Sequence, residues 1–85
     1  MYDIEFSKTA IKRLRNLPIN WSQRIAEKLQ EIASNPYGKH NNVKKLIGRP
    51  GYRLRVGDWR IIYEIDGEKL KILVLEIGTR GKIYS

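Results

Sequence analysis

Apolar and polar residues change rhythm along this chain, and the changes mark out strands and helices. Residues 2–6, Tyr-Asp-Ile-Glu-Phe, alternate strictly, as a short strand does. From Ser7 the period lengthens. Ser7 is a suitable N-cap for a helix through Asn16, with Ala10, Ile11, Leu14 and Leu17 as its apolar stripe. Lys8, Lys12, Arg13 and Arg15 occupy the wet side, and Pro18 stops the helix. Asn20 followed by Gln23 resembles a capping box, with Asn in place of Ser or Thr. The second helix it predicts turns Trp21, Ile25, Leu29, Ile32 and Ala33 inward to about Ser34, and Asn35-Pro-Tyr-Gly ends it.

After a basic loop the period shortens to two. Strands are predicted at 52–57, 59–65 and 70–77, joined by tight turns at Val56-Gly-Asp58 and Asp66-Gly-Glu-Lys69. Leu54 and Val56 alternate with Arg53 and Arg55; Trp59, Ile61, Tyr63 and Ile65 alternate with Arg60, Ile62 and Glu64. Leu70 to Ile77 is nearly continuous in apolar residues, which suits a central strand covered on both faces. No repeat or linker interrupts the chain. The prediction is therefore a single domain over 1–85 of the α+β class, in the order β-α-α-β-β-β. Its twisted, mainly antiparallel sheet carries a helical hairpin on one face and a basic surface on the other.

Composition narrows the function. There are no cysteines, hence no disulfide framework and no thiolate metal site or nucleophile, and His40 is the only histidine. The N-terminus lacks the basic start and apolar run of a signal peptide, and no segment is long and apolar enough to span a membrane, so a cytoplasmic protein is expected. Seventeen basic residues against nine acidic give +8. Between Lys39 and Ile62 lie Lys39, Lys44, Lys45, Arg49, Arg53, Arg55 and Arg60 against Asp58 alone. That is the footprint of a nucleic-acid binder, or of a protein awaiting an acidic partner.

Pairing 52–57 with 59–65 puts Arg53, Arg55 and Arg60 on one face. Like charges on neighbouring strands repel, so this face costs stability unless a polyanion binds there. Arg80 follows in Gly78-Thr-Arg-Gly81, whose glycines let backbone approach a ligand, and Tyr84 lies four residues further on. Converging guanidiniums beside an aromatic suit a phosphodiester flanked by a stacked base. Lys44, Lys45 and Arg49 are flanking candidates for RNA binding, although Lys44 and Lys45 read equally well as solvated charge. Arg60 has an alternative as a surface pair with Glu64, and Tyr84 as a terminal core aromatic. His40 reads as solvated, and Glu64 and Glu76 as isolated acids rather than an acid–base pair.

At these residues the sequence resembles the RelE toxins of the RelE/ParE superfamily, the toxic halves of bacterial toxin–antitoxin pairs. The resemblance runs in order through Ile4-Glu-Phe-Ser-Lys-Thr-Ala10, Leu14, Leu17-Pro18, Tyr52-Arg-Leu-Arg-Val-Gly-Asp-Trp-Arg-Ile-Ile-Tyr63, Gly78-Thr-Arg80 and Tyr84. It implies a ribosome-dependent endoribonuclease that cuts mRNA in the A site and is silenced by a small RelB-like antitoxin. It also implies that Arg53, Arg55, Arg60, Arg80 and Tyr84 form the catalytic site. The implied chemistry needs no metal or other cofactor: the ribose 2′-hydroxyl attacks the adjacent phosphorus in line. Family members often carry lysine at positions 53 and 55, and some carry histidine where Thr79 stands. Arginine does not release its proton near neutral pH, so Arg53 and Arg55 are expected to position RNA, leaving the proton acceptor unassigned. The alternative is the ParE branch, which resembles this fold but inhibits DNA gyrase without cutting RNA.

Overall fold

In the computed structural model, which describes residues 1–79 and 81, the chain runs β1 (Asp3–Phe6), α1 (Lys8–Arg15), α2 (Ile19–Ser34), β2 (Val43–Lys45), β3 (Tyr52–Val56), β4 (Trp59–Asp66) and β5 (Lys71–Thr79). The five strands form one sheet in the order β1-β5-β4-β3-β2. Only β1 and β5 pair in parallel; the other ladders are antiparallel. The α+β class and the helix-covered sheet match the expectation. The strand count does not, because β2 forms inside the stretch read as a basic loop.

Both helices lie on the same face of the sheet. Ala10 from α1 and Ile25, Leu29, Ile32 and Ala33 from α2 share one core with Leu54, Val56, Ile61, Tyr63, Ile72, Val74 and Ile77. Burying a side chain such as Ile25 or Leu29, each fully inaccessible, contributes roughly 1.5–3 kcal/mol. Tyr63 sits at the centre of the sheet, stacked on its register partner Tyr52 with ring centroids 5.4 Å apart. Burial, reinforced by the Tyr52 hydroxyl, pushes the Tyr63 phenol up to about 12.

Ser7 begins α1 as expected: its Oγ accepts from the Ala10 amide at 3.0 Å. The same Oγ donates to the Leu75 carbonyl at 2.7 Å, and the Ser7 amide donates to the Val74 carbonyl at 2.8 Å. The second helix starts two residues early. Pro18, not Asn20, is its N-cap, with no side-chain capping bond; the Pro18 carbonyl accepts from the Trp21 and Ser22 amides. Proline presets the φ of the entering residue at −53°, so no capping box is needed.

The apolar run of β5 also has a different cause from the one expected. Ile62 pairs with Glu76 but Tyr63 pairs with Val74, so Leu75 is an extra residue, a β-bulge. Two residues therefore separate the core positions Val74 and Ile77, and Leu75 and Glu76 both turn outward. Leu73 and Leu75 are half-exposed on the outer face rather than covered by a second layer. No helix among the described residues is long and apolar enough to cross a membrane.

Candidate nucleic-acid interface

The β3–β4 hairpin builds the outer face. Its two-residue turn needs Gly57, which adopts φ +59°. A Cβ there would stand 2.5 Å from the indole of Trp21, so the turn is packed against α2 as well as tightly closed. The resulting register sets Arg55 directly opposite Arg60 and Arg53 opposite Ile62, with Lys44 of β2 opposite Arg53. On the other side, Arg60 pairs with Gly78 and Ile62 with Glu76. Two rows result: Lys44, Arg53, Ile62, Glu76, and above it Arg55, Arg60, Gly78. Gly78 has no side chain to fill the space beside Arg60.

The arginines share this face but not one set of partners. Arg60 is half-buried, and its Nη1 donates to the carbonyls of Gly57 at 3.0 Å and Trp59 at 3.1 Å. These bonds hold the guanidinium to the turn and leave Nη2 and Nε hydrogens for a ligand. The alternative pairing with Glu64 does not form. Arg55 turns to the sheet edge, where its Nη2 donates to Asn42 Oδ1 at 2.9 Å while its amide donates to the Asn42 carbonyl at 2.9 Å. Asn42 adopts φ +66°, a left-handed conformation that asparagine tolerates better than most residues. Arg55 lines a small cleft there with Arg24, Glu27 and Lys28 of α2.

Arg53 lines a separate groove of 540 Å³ with Lys44, Lys45, Arg49, Leu46 and Ile62. Ile62 is 1% exposed and forms an apolar floor, while Ile47 at the rim is 99% exposed. Arg49 reaches from the β2–β3 loop to Glu76, Nη1 to Oε2 at 3.4 Å. The groove thus gathers the three flanking basic residues around Arg53. Arg80 and Tyr84 lie outside the described residues. His40 is held by the Asn35 carbonyl, 2.6 Å from its Nε2, away from the arginine face.

Two contributors escaped the sequence reading. Asn42 carried a signal in the Asn41-Asn42 pair, a local marker of left-handed backbone, but nothing linked it to Arg55. Glu76 looked isolated because the bulge that turns it outward leaves no mark in an apolar run. Among the described residues, no cluster of His, Cys, Asp or Glu suits a metal ion.

Comparison with known proteins bears on this face. Residues 4–84 match the family described as the ParE toxin of the type II toxin–antitoxin system parDE. The mRNA interferase toxin RelE of Escherichia coli K12 is 26% identical, over 99% of this chain and 90% of its own length. The fold is that of the isolated E. coli RelE toxin, with TM-score 0.81, 27% identity, and coverage of 99% of this chain and 92% of that one. The RelB–RelE antitoxin–toxin complex from Methanococcus jannaschii matches with TM-score 0.74 and 30% identity, covering 93% of each chain.

Proposed function

The chain belongs to the ParE-toxin family of type II toxin–antitoxin systems, as a RelE-like member of the RelE/ParE superfamily, and on that premise we propose that it is an mRNA endoribonuclease toxin acting on the ribosome. The observation that carries this reading is the hairpin register, which aligns Arg53, Arg55 and Arg60 on the face that no described helix covers. Relatives over nearly the whole chain are named mRNA interferases, which supports the same activity.

The reaction is attack of a ribose 2′-hydroxyl on the adjacent phosphorus, giving a 2′,3′-cyclic phosphate and a 5′-hydroxyl. Arg60, anchored to the turn through Nη1, neutralises charge growing on the phosphoryl oxygens. Arg53 and Arg55 grip the backbone, with Lys44, Lys45 and Arg49 extending the phosphate contacts along the groove. Arg80 assists at the phosphate or leaving oxygen, and Tyr84 orients or stacks on a base, as the resemblance implies. No residue of this set need accept a proton for such positioning to accelerate cleavage.

A small RelB-like antitoxin is the second partner. Relatives are found in RelB–RelE complexes, and the groove offers what such a segment needs: the apolar Ile47 and Ile62 within a basic rim. An antitoxin segment with apolar and acidic residues fits that surface.

A ParE-like action on gyrase is the competing reading, favoured by the name of the matching family. Translation of a defined mRNA with the purified protein, followed by mapping of 5′ ends, separates the two. Cuts within A-site codons, absent from ribosome-free RNA, are expected. Intact mRNA together with inhibited gyrase supercoiling would replace this reading with the other.

A further inference from the structure

We infer that Glu76 is the proton acceptor of the cleavage reaction, held in place by Arg49; the inference rests on the nuclease reading above. The β-bulge carries the argument. Without the extra residue at Leu75, position 76 would follow Ile72 and Val74 into the core, where a carboxylate has no place. With it, Glu76 emerges in the middle of the arginine face. Ser7, tied to the Val74 and Leu75 carbonyls, pins the bulge from the other side.

The position is chemically apt. Glu76 shares a row with Arg53 and is diagonal to Arg60, a spacing of about 7–8 Å that long side chains bridge. A phosphodiester held by Arg60 puts its ribose within the carboxylate's reach. The Glu76 side chain is 47% exposed, and Arg49 engages Oε2 alone, leaving Oε1 to take a proton. The other acids of this face are farther from Arg60: Glu5 pairs with Lys71, Asp66 Oδ1 accepts from the Glu68 and Lys69 amides, Asp3 lies opposite Lys71 on the edge strand β1, and Glu64 lies beyond Ile62 on the side of Glu76 away from Arg60. The arginines themselves cannot act as bases.

In the step, the Glu76 carboxylate takes the 2′-hydroxyl proton as the O2′–P bond forms. The P–O5′ bond breaks, its electron pair stays on O5′, and that oxygen takes a proton from water. Glu76 then returns its proton to solvent.

The test is single-turnover cleavage of mRNA on programmed ribosomes, across the acid pH range, by the parent chain and Glu76→Gln, Arg49→Ala and Asp58→Asn. Asp58, exposed in the hairpin turn, is the control acid. Glu76→Gln is expected to cut roughly 10²–10⁴-fold more slowly, with ribosome binding and thermal melting like the parent's. Its residual rate should lack the fall seen as the parent's carboxylate is protonated. Arg49→Ala should lose less and keep that fall, and Asp58→Asn should match the parent. Among the described residues, the charged groups facing Glu76 from neighbouring elements are Arg49, Arg53, Arg60 and Glu64; the arginines stay cationic throughout this range, and Glu64→Gln, which should keep the parent's rate and its fall, separates the second carboxylate from Glu76. Glu76→Gln cutting at the parent's rate, or Asp58→Asn losing activity while Glu76→Gln retains it, overturns the assignment alone. A parent chain that binds ribosomes without cutting removes the nuclease reading and this assignment with it.

Discussion

Ser7 joins two features that a single substitution separates cleanly. Its Oγ accepts from the Ala10 amide as the cap of α1 and donates to the Leu75 carbonyl of the β5 bulge. Losing an N-cap costs about 1 kcal/mol, and losing the bond to a part-buried carbonyl about 1–1.5 kcal/mol more. Ser7→Ala should therefore destabilise the protein by roughly 2–3 kcal/mol, a large part of the ~4–13 kcal/mol expected of 85 residues. At about 4–8 °C per kcal/mol for a domain of this size, the midpoint should fall by roughly 10–20 °C. Ser7→Asp keeps an N-cap acceptor but cannot donate to Leu75, so it should recover only the capping part. Ser7→Thr keeps both and should stay near the parent. Urea and thermal unfolding followed by circular dichroism measure all three. If Ser7→Asp is as stable as the parent, the hydroxyl does not hold the bulge and the reasoning fails.

Other consequences concern Asn42 and Tyr63. Asn42→Gly preserves the left-handed backbone but deletes the acceptor that holds Arg55, so cleavage should drop about tenfold, equivalent to ~1.4 kcal/mol, with stability little changed. A cleavage rate equal to the parent's would show that this contact does not position Arg55. Tyr63 is neutral in the folded protein to about pH 12 but ionises from pH 10 once unfolded. Its contribution is therefore intact below pH 10 and lost as pH rises towards 12, by up to about 2–3 kcal/mol. Tyr63→Phe should flatten that part of the alkaline stability curve; an unchanged slope would contradict the assignment.

How far the sequence revealed this protein depended on whether the local pattern had one structural solution. The β3–β4 hairpin was fully legible: Leu54 and Val56 against Arg53 and Arg55 admit only one way round, and Gly57 fixes the turn. The helices were legible from their apolar stripes, although the start of α2 was not, because Pro18 read as the stop of α1 and the same residue also opens α2. Strand β2 was hidden since Lys44 and Lys45 have little strand preference; it forms because β3 offers it an unpaired edge, and its lysines discourage further pairing there. The bulge was invisible for another reason. Leu73 to Leu75 is apolar in every position, so a shift of parity leaves the pattern unchanged, and only pairing with β4 reveals that Glu76 faces the arginines.

If the arginine face of this chain cleaves mRNA, Arg60→Ala in a translating extract should cut roughly 10²–10³-fold more slowly than the parent, with ribosome and antitoxin binding retained. Cleavage at the parent's rate by a folded Arg60→Ala protein would contradict it.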